Sequence, residues 1–228
     1  MAGARIVLTT ADGEAVAAYH APPGDARRGG LVILHAIWGV TPHIRELSDS
    51  LAEQGYEVIA PSLLDDADAP FPAADLDPPN LDARMTLGLA GGWGAAALPR
   101  VQAAIDALSD KGKVFAIGFC FGGTTAWLTS ARCTGLTAVS CFYGGDIAAY
   151  VGEQPKVPTI LHFGRTDPMI PLADVEAITA AHPDLPVWLY DAGHAFVAPN
   201  GRHDDSASLA MLRTLQLFQR AGGSRGEV

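Results

Sequence analysis

Short apolar runs that are continuous rather than alternating recur along this chain, and they constrain its fold more than any other feature. They are Leu31 to Ile37, Glu57 to Ala60, Val114 to Ile117, Thr137 to Tyr143, Thr159 to Phe163 and Val187 to Tyr190. A strand with one wet face alternates apolar and polar residues. A continuous run implies cover on both faces, the mark of a mostly parallel sheet. Helical patterns lie between the runs. Thr41-Pro42 reads as an N-cap followed by Pro at the first helical position, with Ile44, Leu47 and Leu51 as an apolar face and Gly55 as the stop. Val101, Ala104, Ile105 and Leu108 mark a second helix before Gly112. A third is predicted from just after Cys120 to about Arg132, and a fourth over roughly Ala173 to Ala181. The last covers about Asp205 to Gln219, where Leu209, Leu212, Leu215 and Phe218 are spaced by three. Upstream, Arg5 to Thr9 and Glu14 to His20 flank Asp12-Gly13, a hairpin signal. Repeated β-α-β units predict a three-layer α/β fold, a mostly parallel twisted sheet flanked by helices with right-handed crossovers. At 228 residues the chain fits one such domain over 1–228.

Charge and cysteine content narrow the function classes. Lys plus Arg is 15 against 25 Asp plus Glu, a net charge of −10 with no basic run. That argues against nucleic acid and anionic membranes as partners. The three cysteines, Cys120, Cys133 and Cys141, are too few for a disulfide framework and suit a reducing compartment. The N-terminal residues hold no apolar signal core, and no stretch reaches the roughly 18–20 apolar residues that span a bilayer. The expectation is a cytoplasmic protein, a monomer with a dimer as the alternative.

Leu64 to Ala83 breaks the β-α-β rhythm. It holds Asp65, Asp66, Asp68, Asp75, Asp77 and Asp82 among Pro70, Pro72, Pro78 and Pro79, and reads as a long loop at the sheet's carboxyl edge. It lacks the spaced glycine and distal Glu of a calcium loop. Gly88 to Gly94 reads as a second flexible stretch, without the Lys-Ser/Thr ending of a phosphate-binding loop.

The chemistry concentrates in Val114-Phe-Ala-Ile-Gly-Phe-Cys120-Phe-Gly-Gly123. A strand pattern ends near Gly118 and a helix begins near Gly122, with Cys120 between them in Gly-x-Cys-x-Gly-Gly. This is a nucleophile-elbow pattern with Cys in the nucleophile's place. A turn that tight strains the nucleophile's backbone and leaves no room for side chains two residues away on either side. It lifts the sulfur above the sheet edge at a helix N-terminus, whose dipole favours a thiolate. The Phe121 amide then serves as an oxyanion donor. A buried, inert cysteine is the alternative reading of the motif alone.

Two further residues weigh against inertness. Asp167, in Gly164-Arg-Thr-Asp-Pro168, follows the run Thr159 to Phe163. His194, in Asp191-Ala-Gly-His-Ala-Phe196, follows Val187 to Tyr190. The order nucleophile, acid, histidine is that of α/β-hydrolases, and each residue follows a separate strand. In this reading His194 takes the thiol proton and later activates water, while Asp167 orients the imidazole.

With these pieces in place, the sequence resembles the dienelactone hydrolase (carboxymethylenebutenolidase) family of the α/β-hydrolase superfamily. The likeness runs from about Leu31 to Phe218. It is carried by Ile37-Trp-Gly39, Gln54-Gly-Tyr56, Pro61, the Gly118 to Gly123 elbow, Asp167 and Gly193-His194-Ala-Phe196. The resemblance implies an α/β-hydrolase fold and cofactor-independent hydrolysis of an ester or lactone through a thioester. It also implies that the Ile37 amide is the second oxyanion donor. Two departures stand out. The family carries an acidic residue just before the Ile-x-Gly segment, where this chain has Ala36 preceded by His35. That points to a plain Cys-His pair without substrate-gated activation. The family also holds a substrate carboxylate with arginines. One position corresponds here to Val197, Ala198 and Pro199, and Arg84 is the candidate for the other. A less charged ester or lactone is therefore expected.

By position, His35, Ala36, Trp38, Arg84, Trp93, Phe121, Tyr143 and Phe196 are candidates to line the substrate pocket; for the aromatic residues among them core packing is the alternative. Cys133 and Cys141 read as structural, and the remaining histidines show no metal-ligand spacing. The rival to an enzyme is a hydrolase-like fold used for binding or redox sensing, with Cys120 as a reactive thiol.

Overall fold

The computed structural model describes residues 2–24, 26–76 and 80–223, so Asp77, Pro78 and Pro79 of the acidic segment lie outside the described residues. One eight-stranded sheet runs in the order β1-β2-β4-β3-β5-β6-β7-β8. Strands β1 (Ala4–Thr9) and β2 (Ala15–Ala21) form the antiparallel hairpin signalled by Asp12-Gly13, and β2 pairs antiparallel with β4 (Tyr56–Pro61). From β4 on, every pairing is parallel: β3 (Gly29–Leu34), β5 (Val114–Phe119), β6 (Ala138–Phe142), β7 (Thr159–Gly164) and β8 (Val187–Tyr190). Strands β3 to β7 are buried along their whole length, as continuous apolar runs require. The last run is different. β8 is an edge strand with Trp188 and Leu189 exposed, and the Arg213 guanidinium lies 3.6 Å from the centre of the Trp188 ring. Unbroken hydrophobicity does not distinguish a central strand from an edge strand covered by long side chains.

Strand order reverses around β3, whose neighbours are β4 and β5. The carboxyl ends of β3 and β5 therefore flank a switch point, where open α/β sheets leave a crevice. Strand β3 stops at Leu34, three residues short of the predicted run, and frees Ile37 for a turn there.

Helices α1 (Pro42–Glu53), α3 (Leu98–Ser109), α4 (Phe121–Arg132), α5 (Leu172–Ala181) and α6 (Asp204–Arg220) match the periodic segments. Ala207, Ala210, Thr214 and Phe218 are the buried stripe of α6, whereas Leu209 and Leu212 are exposed. A strict spacing of three falls behind a turn of 3.6 residues and drifts off the buried face; steps of three and four stay on it. The sequence reading missed α2 (Leu81–Ala90), which begins inside the expected acidic loop and ends inside the expected glycine-rich one. Only Gly88 of α2 is buried, so no apolar stripe announces this helix.

Buried polar groups carry a consequence for stability. Thr214 Oγ1 donates to the Ala210 carbonyl (3.0 Å), so Nε2–H of fully buried His162 donates to Thr214 Oγ1 (3.2 Å) and Nδ1 accepts from the Tyr190 hydroxyl (2.8 Å), which itself accepts from Arg213 (3.0 Å). Burial holds the His162 pKa down at about 3 and that of His35 at about 4, below the ordinary 6.5. The unfolded chain thus binds protons that the folded chain refuses. Unfolding free energy should fall as pH drops from 6.5 toward 4, by up to about 1.4 kcal/mol per pH unit for each histidine. Urea denaturation at pH 7 and pH 5 checks this; equal stabilities would contradict it.

Candidate active site

Cys120 is the hinge between β5 and α4, with φ 54° and ψ −114°. Its amide donates to the Phe142 carbonyl of β6 (3.0 Å), and its carbonyl accepts from Gly123 (2.8 Å) and Thr124 (3.1 Å). The turn is that tight because three glycines let backbones touch. A Cβ on Gly118 would overlap the Gly122 carbonyl, one on Gly122 the Leu34 carbonyl, and one on Gly123 the Phe142 carbonyl. The Phe121 amide lies in the first turn of α4, where no intrahelical acceptor exists.

Asp167 and His194 reach the same edge from the loops after β7 and β8. His194 Nδ1–H donates to Asp167 Oδ2 at 2.7 Å, and Asp167 Oδ1 accepts the Met169 amide at 2.8 Å. The carboxylate side chain has no solvent exposure. This leaves Nε2 of His194 for the sulfur. Nε2 is buried without a partner in hydrogen-bond geometry, yet the Cys120 sulfur is near enough to strengthen its basicity. Burial opposes the imidazolium, but Asp167 and Cys120 together outweigh it and raise the His194 pKa to about 10. The Tyr143 ring, 5.2 Å from the His194 ring, walls this side.

Cys120 and His194 lie between two cavities. One is lined by Ala36, Trp38, His43, Asp75, Tyr143 and Asn200, among others. The other is lined by Met85, Leu89, Trp93, Gly145, Asp146 and Met169. Among the described residues, no Lys or Arg lines either. All four non-glycine residues with positive φ among the described residues border them: Trp93, Cys120, Tyr143 and Ala195. Such backbone strain collects where a site is held against relaxation.

The structure brings Cys120, Asp167 and His194 to one place and puts Ala36, Trp38, Tyr143 and Trp93 on the cavity walls. It corrects the other pocket candidates. Phe196 is fully buried, packing on Tyr143 and Tyr190 at 5.2 Å each. Phe121 is buried against Trp93 at 5.3 Å. Arg84 lines neither cavity: its guanidinium grips Asp65 through two bonds (2.6 and 3.0 Å) and the Ile37 carbonyl through Nε (2.5 Å). His35 is fully buried, with both ring nitrogens engaged by backbone. The sequence reading missed His43, Asp75, Asp146 and Asn200. Asp146 alone had a usable signal, since it follows β6 at the edge where β5, β7 and β8 deliver the other groups; burial raises its carboxyl pKa.

Residues 16–222 match the model of the Dienelactone hydrolase family. A "Putative carboxymethylenebutenolidase" of Salmonella typhimurium is 31% identical, over 98% of this chain and 89% of its own length. A carboxymethylenebutenolidase of Pseudomonas putida is 30% identical, over 93% of this chain and 94% of its own. Among solved structures, a "Putative Dienelactone Hydrolase" from Klebsiella pneumoniae superposes with a TM-score of 0.76 at 28% identity, covering 95% of this chain and 99% of that one.

Proposed function

The chain belongs to the dienelactone hydrolase family, and from that premise we propose that it cleaves a carboxylic ester or lactone with Cys120 as nucleophile, His194 as base and acid, and Asp167 as orienting carboxylate. The observation that carries this is the 2.7 Å bond that commits Nδ1 of His194 to Asp167 and leaves Nε2 for the sulfur. The thiol proton rests on Nε2 of His194, whose raised pKa favours the imidazolium, as sulfur bonds to the carbonyl carbon. The amides of Phe121 and Ile37 hold the resulting oxyanion. Collapse breaks the carbon–oxygen bond, and His194 returns its proton to the departing alkoxide. A thioester remains. His194 then deprotonates water, which attacks the thioester and releases the acid, and the proton stays on His194 beside the thiolate. With a lactone the departing oxygen stays tethered to the acyl group.

The walls favour an uncharged substrate. A substrate carboxylate would meet Asp75 in one cavity or Asp146 in the other and, among the described residues, no Lys or Arg in either, the His194 imidazolium being already paired with Asp167. Brief exposure to p-nitrophenyl acetate followed by acid quench and peptide mass spectrometry should find the acetyl group on Cys120. Ester turnover with the acetyl group on any other residue, or Cys120 oxidation in a protein that turns over no activated ester, would overturn the reading; the latter supports a redox sensor.

A further inference from the structure

Fully buried His35 bridges two backbone segments. Its Nε2 faces the Leu63 amide at 2.9 Å and its Nδ1 faces the Ala36 carbonyl at 2.6 Å. A backbone amide can only donate, so Nε2 is the acceptor. The proton of the neutral ring therefore sits on Nδ1, which donates to the Ala36 oxygen. That oxygen also accepts the Gly39 amide at 3.1 Å. The Ala36 carbonyl and the Ile37 N–H belong to one planar trans peptide and point opposite ways. Pinning the oxygen from one side aims the N–H to the other. The next peptide is held as well, because Arg84, anchored on Asp65, takes the Ile37 carbonyl. Leu63 and Asp65 both lie in the segment leaving β4, which thus braces the peptides on either side of Ile37.

We propose that His35 is the positioning residue that aims the Ile37 amide at the developing oxyanion. This rests on the Cys120 reading above and adds the group that sets the second oxyanion donor. A buried imidazole with both nitrogens bound to backbone is rigid, and an oxyanion donor acts only when its direction is set before the charge appears. His35 touches neither substrate nor sulfur in this assignment. Its effect is confined to steps that place charge on a carbonyl oxygen.

The test compares His35→Leu with His35→Gln in the full chain. Leu removes donor and acceptor, whereas Gln carries one of each. His35→Leu is expected to lower kcat for p-nitrophenyl acetate about 10- to 100-fold with KM nearly unchanged, part of the loss seen when such a donor is removed outright. His35→Gln should recover most of the rate. Alkylation of Cys120 by iodoacetamide, a displacement that forms no oxyanion, should proceed at the wild-type rate in both. Wild-type kcat in folded His35→Leu would overturn the proposal. So would equal loss in both variants, or alkylation that slows in step with hydrolysis. If His35→Leu does not fold, His35→Met replaces it; if neither folds, a folded His35→Gln that alkylates normally but loses more than tenfold in kcat overturns it. Failure of the Cys120 reading would show separately, as wild-type hydrolysis that survives complete alkylation of Cys120.

Discussion

Replacing Cys120 by alanine is expected to lower kcat/KM for p-nitrophenyl acetate by about 10⁴-fold or more, leaving what the oxyanion amides and binding alone supply. The size follows from the division of labour. His194 is committed to Asp167 through Nδ1 and has no nucleophile to serve through Nε2 once sulfur is gone. The effect should be specific among the cysteines. Cys133 and Cys141 are buried, and burial pushes the Cys133 thiol up to about 11 and the Cys141 thiol up as well, so neither offers a thiolate at neutral pH. Iodoacetamide should label Cys120 first, and hydrolysis should disappear in proportion to that label. Asp167→Asn should fall by a comparable factor while keeping its fold, because an amide in that place no longer holds Nδ1–H and stabilises no imidazolium. An alanine variant that retains a tenth of the activity would remove Cys120 from the mechanism.

Gly122→Ala should be among the most damaging small substitutions in the described residues. The added methyl would sit on the Leu34 carbonyl group and 2.6 Å from the His35 oxygen, all backbone atoms at the end of a central strand. Relief requires moving α4 away from β3, which opens the core beneath a helix buried from Phe121 to Ala131. A loss above about 4 kcal/mol is expected, more than about 10 °C in melting temperature for a domain of this size. Gly145→Ala is the control. No atom lies within 4 Å of its added methyl, and the change should stay within about 0.5 kcal/mol. Melting curves of the two variants decide the matter. Similar curves would mean that the elbow tolerates separation of its strand and helix.

Both predictions lean on features written locally. Gly118, Gly122 and Gly123 are legible in the sequence because the clash they avoid arises within one strand-turn-helix and with the strands beside it. The convergence of Asp167, His194 and Cys120 was legible for a different reason. In a parallel sheet every strand ends on the same edge, so residues just after separate strands are delivered together whatever the helices do. The hairpin and five of the six α-helices among the described residues follow the same logic of period and punctuation. Helix α2 did not, since a surface helix with one buried residue leaves no apolar period to read.

What escaped the sequence were assignments that depend on a neighbour distant in the chain. Arg84 has the charge for a substrate carboxylate, but Asp65 and the Ile37 carbonyl occupy it. Phe196 has the size of a pocket wall, but Tyr143 and Tyr190 enclose it. His35 offers no signal beyond its own letter until Leu63, 28 positions away, donates to its ring. The chain alone determined that Cys120, Asp167 and His194 meet at one edge, because strand direction and glycine sterics follow from residue type and spacing. Tertiary structure alone decided which polar side chains face the cavities and which serve as struts, because a donor's partner is set by the packing of segments far apart in the chain.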